Sequence, residues 1–378
     1  LTAERLVDVR VAVDATPLLD VPTGISVFTR ELLERLGARE DLEVVGYGLT
    51  RRYRAELERR LPAGVRATTW PVPARAMRAL WLRVPAPTIE AWTGAVDVVH
   101  GPNYLVPPTS NAVALVTIHD LTCVRYPELC DAYTRRYPAY ISTALRRGAH
   151  VHTVSATIAA EVAEHFAVPA DRLHVVHNGV TPPRCGDAER GRLVAGEAPF
   201  VLALGTIEPR KDLVSLVRAF DIVAATPAGR DLRLILAGKR GWGATEVDGA
   251  ISRSAHRDRI LRLGWVDDQT RADLLRAARV LAYPSVYEGF GLPPLEAMLA
   301  RVPVVTTDAG ALPEIVGDAA LIVPVGDADA LADALARAVE DDALRDRLVR
   351  DGLARAGRYS WDACATGLVE VYERITSS

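Results

Sequence analysis

The chain has 378 residues, of which 49% are hydrophobic and 25% charged, too long for one compact core and suited to two domains. Its net charge of -3 shows no bias toward a polyanion, which argues against a nucleic-acid partner. No apolar run reaches the roughly 18 residues that span a bilayer, and the N-terminus lacks a basic-then-apolar signal pattern. It begins with Leu1 rather than methionine, compatible with removal of a short leader. Cys123, Cys130, Cys185 and Cys364 have no metal-ligand spacing and are too sparse for a disulfide framework, so they read as reduced thiols.

In the first half, short β-branched runs recur at Val9 to Val13, Glu43 to Gly48, Val65 to Thr68, Val96 to His100, Val113 to Ile118, His150 to Val154 and Leu173 to Val176. Stretches with helical periodicity separate them, and near-continuous apolar strands are what a parallel sheet covered on both faces requires. The reading is a doubly wound α/β domain over residues 1–182. After the first strand, Pro22 to Ser26 opens a helix with Phe28, Leu32, Leu33 and Leu36 on its apolar face, and Gly24 there allows either a close backbone approach to a phosphate or an ordinary turn. His119 and Asp120 end the strand Val113 to Ile118, where side chains emerge at a ligand edge; a histidine there is either catalytic or merely hydrogen-bonded. Trp70 to Trp92 mixes Met77, Leu80, Trp81 and Leu82 with Arg75, Arg78 and Arg83, a pattern open to a membrane-surface helix, but its prolines leave only about three turns and favour an ordinary packed helix.

Residues 183–198 are polar, rich in turn formers and weakly periodic, and read as a linker. The alternation then resumes over residues 199–360: strand Phe200 to Leu204, helix Leu213 to Ala224, strands Leu232 to Ala237 and Ile260 to Leu263, helix Thr270 to Ala277, strand Val280 to Tyr283, helix Leu295 to Ala300, and strands Val302 to Thr306 and Leu321 to Pro324. Leu213, Leu216, Val217, Phe220 and Val223 follow helical spacing, giving one buried face. Asp327 and Ser360 are expected helix caps in the tail. Ligands of such sheets bind outside the carboxyl ends of the strands, so the expected site is a cleft between the two domains.

Arg210 and Lys211 stand beside a predicted helix start, where the helix dipole favours acids, a conflict that an anionic ligand resolves. Of the 45 Lys and Arg residues only Lys211 and Lys239 are lysine. A bias that has made nearly every other cation arginine marks these two as positions where a compact ammonium is needed. Both follow successive strands of the second domain, which supports a diphosphate site.

The richest stretch is YEGFGLPPLEA, Tyr287 to Ala297. Gly289 and Gly291 allow a tight strand-to-helix turn, and Pro293 and Pro294 suit a helix's first turn. A helix starting near Pro293 would turn its first N–H groups toward a phosphate. Glu288 before it and Glu296 in its first turn would flank that phosphate, one taking ribose hydroxyls and the other sugar hydroxyls. The alternative is that Glu288 ends a strand in solvent and Glu296 caps a helix.

These pieces, TGIS (Thr23 to Ser26), TIHDLTCVRYPE (Thr117 to Glu128), VVHNGV (Val175 to Val180), GTIEPRKD (Gly205 to Asp212), LAGK (Leu236 to Lys239), YPSVYEGFGLPPLEAM (Tyr283 to Met298) and LPEIVGDAAL (Leu312 to Leu321), resemble the retaining glycosyltransferases of family 4 with the GT-B fold. They occur in family order, and their wording is most similar to bacterial mannosyl- and rhamnosyl-type transferases. The resemblance implies an α/β fold of two doubly wound Rossmann-like domains facing across a cleft, the first on the acceptor side and the second binding the nucleotide sugar. A C-terminal helix, 361–378, returns toward the first domain. It implies that Arg210 and Lys211 hold the diphosphate and Glu296 the ribose. Glu288, with the backbone of Gly289, Phe290, Gly291 and Leu292, holds the donor sugar, while His119 reaches its far hydroxyl and Gly24 closes over the phosphates. The base rests by Lys239, Trp265 and Val266. Ser26 to Phe28 departs from the second glycine common in the family's loop, which weakens the role of Gly24. The implied chemistry is metal-independent transfer with retention, from a GDP-sugar of the mannose type to a glycan, lipid-linked or small-molecule acceptor. Alternatives are a UDP- or dTDP-sugar donor, or an inactive partner subunit. No cofactor beyond the donor is implied; the expected location is the cytoplasm, with weak peripheral contact at the inner membrane face.

Overall fold

The computed structural model describes residues 9–19, 23–50 and 52–377; Pro22, at the start of the expected first turn, lies outside them. The chain divides into two units, Leu1–Gly179 with Ser360–Ser378, and Val180–Tyr359.

Unit 1 is built on seven strands: β1 (Val9–Asp14), β2 (Leu42–Leu49), β3 (Val65–Trp70), β4 (Val98–Gly101), β5 (Val113–Ile118), β6 (His150–Thr153) and β7 (Leu173–Val175). All pair in parallel in the order β3-β2-β1-β4-β5-β6-β7. The chain winds outward from β1 in one direction and then, from β4, in the other, so strand order reverses between β1 and β4. Helix Gly24–Gly37 buries Phe28, Leu32, Leu33 and Leu36, as its spacing predicts. Thr23 and Ser26 form its capping box, with the Ser26 N–H donating to Thr23 Oγ1 at 3.4 Å and the Thr23 N–H to Ser26 Oγ at 2.7 Å. Helix Ala74–Trp81 is shorter than the sequence suggested, yet it packs: Met77 and Trp81 are buried against Leu49, Trp70 and Trp92.

Helix Trp361–Thr376, capped by Ser360, packs on helix Gly24–Gly37 within this unit. Its approach requires a glycine, since a Cβ on Gly179 would stand 2.1 Å from the Trp361 nitrogen. A buried polar chain ties the helix to the sheet: Tyr372 OH to His100 Nδ1 at 2.7 Å, His100 Nε2 to Thr117 Oγ1 at 2.7 Å, Thr117 Oγ1 to His152 Nδ1 at 2.9 Å and His152 Nε2 to the Val176 carbonyl at 3.0 Å. The carbonyl can only accept, and this orders every proton along the chain. His152 carries its proton on Nε2, Thr117 donates to its Nδ1, His100 donates from Nε2, and Tyr372 donates to His100. That order follows because both imidazoles are neutral. Burial holds His152 at about 3 and His100 well below its ordinary value.

Unit 2 has six strands: β8 (Phe200–Leu204), β9 (Arg233–Ala237), β10 (Ile260–Gly264), β11 (Val280–Tyr283), β12 (Val304–Thr307) and β13 (Leu321–Val323). They are parallel in the order β10-β9-β8-β11-β12-β13, so order reverses between β8 and β11. Helix Leu213–Ala224 buries Leu213, Leu216, Val217, Phe220 and Val223 in the core.

Residues 183–198 are the segment expected as the linker. They carry helix Ala188–Ala195, capped by Asp187 and ended by Gly196 at φ 84, and belong to unit 2. The helix meets helix Asp268–Ala277 through glycines: Cβ atoms on Gly186 and Gly191 would each lie 2.1 Å from the carbonyl oxygens of Ala272 and Asp273 respectively. Arg190 Nε donates to Asp273 Oδ2 at 2.9 Å. Contact by close backbone approach leaves no apolar stripe in the sequence, which explains the weak periodicity.

Candidate active site

Parallel α/β sheets hold ligands where strand order reverses. In unit 2 that point lies between the carboxyl ends of β8 and β11, and the loops leaving those strands are Gly205 to Asp212 and Pro284 to Gly291. They bring together residues 77 positions apart: Lys211 Nζ donates to Glu288 Oε1 at 2.5 Å, and Arg210 Nη1 stands 2.7 Å from the same oxygen. Ser285 Oγ donates to it as well, at 2.8 Å. Three donors thus converge on Oε1, while Oε2 takes no hydrogen bond from the described residues. Lys211 also donates to Tyr283 OH at 2.5 Å, so two of its three N–H bonds are spent and one remains.

The electrostatics follow from this geometry. Burial alone would raise the Glu288 carboxyl, but Arg210 and Lys211 outweigh it and hold it at about 2, so it is ionised. Burial lowers Lys211 against the pull of Glu288. Arg210 is fastened further by the Tyr287 carbonyl at 2.9 Å and Glu208 Oε1 at 3.0 Å. The Glu288 backbone is fixed too: its carbonyl accepts from the Ala311 N–H at 2.8 Å. Gly310, at φ 54, lies so close that a Cβ there would stand 2.3 Å from that oxygen. A cavity lined by Gly205, Thr206, Lys211, Tyr283, Pro284 and Ser285 adjoins the cluster.

Helix Leu292–Leu299 follows, with Gly291 capping it at φ 100 and prolines at its second and third positions. It starts three residues before the expected Leu295 and one before Pro293, so Glu296 is its fifth residue rather than in its first turn. The carboxylate of Glu296 is gripped by both terminal nitrogens of Arg271, from helix Asp268–Ala277. Phe290 is buried and lies edge-on to Tyr359, ring centroids 5.5 Å apart. Lys239, Trp265 and Val266 follow β9 and β10 on the same edge. Lys239 is exposed, its side chain makes no hydrogen bond or ion pair with the cluster among the described residues, and its carbonyl accepts from the Ile207 N–H at 3.0 Å. Trp265 is 65% exposed and Val266 half-buried.

The remaining expected residues lie in unit 1. Gly24 is the first residue of its helix and exposed. His119 leaves the end of β5 with Nε2 donating to the Pro102 carbonyl at 2.7 Å and its ring 5.2 Å from Phe28. Burial lowers its pKa, so at neutral pH it presents a bare Nδ1 as acceptor. Sequence reasoning missed Tyr283, Ser285 and Arg271. Tyr283 and Ser285 stood inside the YPSVYEGF motif without a role; Arg271 carried no local signal.

Comparison with known proteins gives the class first: the chain superimposes on glycosyltransferases of the GT-B fold. It matches sucrose-phosphate synthase from Thermosynechococcus elongatus with a TM-score of 0.76 at 21% identity, over 97% of this chain and 99% of that one. HepE of Anabaena, in complex with UDP and glucose, matches with a TM-score of 0.70 at 18% identity, over 96% and 99%. Residues 22–184 match the Glycosyltransferase Family 4 profile and residues 198–341 that of Glycosyl transferases group 1. The chain is 33% identical over 286 residues to the O-antigen chain mannosyltransferase B of Escherichia coli, covering 74% of each. It is 36% identical over 231 residues to the MMP alpha-(1->4)-mannosyltransferase of Mycolicibacterium hassiacum, covering 59% of this chain and 53% of that one. The protein belongs to the family 4 glycosyltransferases.

Proposed function

We propose that the protein moves a mannose-type sugar from a GDP-sugar to a glycan, lipid-linked or small-molecule acceptor, with retention of anomeric configuration and without a metal ion. The observation that carries this reading is the Arg210, Lys211 and Glu288 cluster at the strand-order reversal of unit 2. Two cations on one carboxylate form a preorganised electrostatic site: they sit where a leaving diphosphate develops charge, and the third N–H of Lys211 is free to meet it. Glu288 holds both cations in place before the donor arrives and offers Oε2 to a sugar hydroxyl. The bond from the anomeric carbon to the diphosphate breaks as the bond to the acceptor oxygen forms on the same face. The acceptor proton passes to the departing phosphate oxygen, so no protein base is needed. Neutral His119, with Nδ1 as acceptor, suits a sugar hydroxyl donor. Glu296, fixed by Arg271, is assigned to the ribose, with the base by Lys239, Trp265 and Val266.

The mannose assignment is supported by the mannosyltransferase names of the relatives, and the GDP assignment by the motif wording of the family resemblance alone. Cytoplasmic action with weak peripheral membrane contact is part of the reading, supported by Leu80 and Val84, 40% and 43% exposed beside Arg75 and Arg83. No helix among the described residues is long and apolar enough to cross a membrane. Thermal-shift measurements with GDP, UDP, ADP and dTDP at equal concentration test the donor, because a ligand that binds the folded chain raises apparent stability with the logarithm of its concentration over Kd. GDP is expected to give the largest shift, and a larger one with UDP or dTDP reassigns the base. An inverted product by NMR would overturn the retaining assignment.

A further inference from the structure

Glu296, the carboxylate assigned to the ribose, is already engaged before any ligand arrives. Nη1 of Arg271 donates to its Oε1 at 3.0 Å and Nη2 donates to its Oε2, so the guanidinium meets both oxygens end-on. Among the described residues the Glu296 carboxylate accepts no other hydrogen bond, and the Arg271 side chain makes none elsewhere. Within the described structure, Arg271 therefore sets the plane of this carboxylate.

Neither partner can drift through its backbone. Leu295 and Ala297, which flank Glu296 in helix Leu292–Leu299, are fully buried. On the other side, the two residues after Arg271 are Ala272 and Asp273, whose carbonyls take the close approach of Gly186 and Gly191. The buried Asp273 carboxylate accepts from the Asp187 N–H at 2.7 Å, from Gln269 Nε2 at 2.9 Å and from Arg190 Nε at 2.9 Å. Helix Ala188–Ala195 and the turn before it thus brace the part of helix Asp268–Ala277 that carries Arg271.

An ionised carboxylate has about four accepting positions, two on each oxygen. One position on each oxygen faces the edge that the two oxygens share, and a planar fork occupies that pair. The pair left over points outward, in opposite directions. The hydroxyls of a ribose diol are neighbours, so to bind both oxygens at once they need the same shared edge. They are neutral donors, whereas the guanidinium makes charge-assisted bonds that are roughly twice as strong. The diol does not displace the fork. With Arg271 in place, the ribose reaches one outward position on one oxygen and gives it one hydroxyl.

We propose that Arg271 is a positioning residue that sets donor specificity: by holding the shared edge of Glu296, it makes the site read a single ribose hydroxyl instead of the diol. The inference rests on the reading that Glu296 binds the ribose. Its consequence concerns the donor. If the hydroxyl read is the 3′, a 2′-deoxyribose donor passes this contact; if it is the 2′, such a donor is refused.

The test measures binding of GDP, 2′-deoxy-GDP and 3′-deoxy-GDP to the full chain by calorimetry, with the uridine series used instead if UDP gives the larger thermal shift. Wild type should bind one deoxy analogue within about threefold of the parent nucleotide and the other roughly tenfold to a hundredfold more weakly, the range of one hydrogen bond to a charged group. Arg271→Leu opens the shared edge, and both analogues should then fall roughly tenfold or more below the parent. Arg271→Lys keeps the charge without the fork and should follow the leucine variant, which separates geometry from charge and keeps the test alive if the leucine variant does not fold. A merely structural role for Arg271 would weaken all three nucleotides by a common factor. Large losses with both analogues in wild type, or the wild-type pattern persisting in both Arg271 variants, overturns the proposal. Glu296→Ala checks the underlying reading separately. It should bring the three nucleotides to nearly equal affinity, and wild-type discrimination surviving in it would remove Glu296 from the ribose, whatever the Arg271 variants do. Equal binding of all three by wild type overturns both.

Discussion

Acidification should loosen unit 1 through the chain Tyr372, His100, Thr117, His152 and Val176. Both histidines have folded pKa values depressed below the unfolded value of about 6.5. Above pH 6.5 neither state binds the proton and the stability is fully present; as pH falls, the unfolded chain takes up protons that the folded unit refuses, and stability is lost down to the folded pKa. At pH 5 the cost for His152, held at about 3, is about RT ln(1 + 10^1.5), or about 2 kcal/mol, and His100 adds to it in the same direction. That is a large part of the roughly 5–15 kcal/mol that stabilises a typical domain. The assay is urea unfolding at pH 7.5 and 5.0, followed by near-UV circular dichroism, to which buried Trp361 contributes. Paired carboxylates also lose stability on acidification, so the comparison is with His152→Gln, which removes one titrating group. The variant should be less stable at pH 7.5 but have a shallower dependence below pH 6.5, by up to about 1.4 kcal/mol per pH unit. Parallel slopes for wild type and variant would refute the buried, neutral state of His152.

Glu288→Gln removes the carboxylate that Arg210 and Lys211 share, leaving Glu208 on Arg210 alone, so nucleoside diphosphate should bind as well or several-fold tighter, while turnover falls by roughly tenfold to a thousandfold. A collapse of diphosphate affinity with turnover intact, read by calorimetry and initial rates, would exchange the roles of Glu288 and Glu296. Lys211→Arg keeps the charge but crowds a second planar fork against Arg210 where a point charge now meets Glu288 and Tyr283. Diphosphate affinity should drop several-fold and turnover further, and wild-type activity at subsaturating donor would mean that lysine scarcity carries no information. Gly310→Ala puts a Cβ 2.3 Å from the Glu288 carbonyl at a positive φ and should lower the melting temperature and turnover together; an unchanged variant would show that the loop yields freely. Sedimentation with anionic vesicles at low salt should show weak binding that added salt removes, and none at all would discard membrane contact.

Period and composition alone determined most of the elements. Strands and helices of a doubly wound sheet announce themselves by short β-branched runs alternating with helical spacing, because burial on both faces of a parallel strand leaves a direct mark on sequence. The loops that gather at the strand-order reversal of the second sheet were legible for a related reason: glycine and proline mark their backbone geometry, and Lys211 is one of only two lysines, although Lys239, the other, is exposed and meets no residue of the cluster. Partnership was not legible. Lys211 meets Glu288 because β11 lies beside β8 in the sheet, and Arg271 grips Glu296 from a separate helix, Asp268–Ala277, that only the fold brings within reach. The pairing of His100, Thr117, His152 and Tyr372 likewise waits on the last helix joining the first sheet. The helix at 188–195 escaped notice because it is held by glycine close approach and one ion pair, which leave no apolar period. Hydrophobic patterning records how deeply each residue is buried, whereas strand order and helix contacts decide which buried charges face one another, and only the tertiary structure contains that choice.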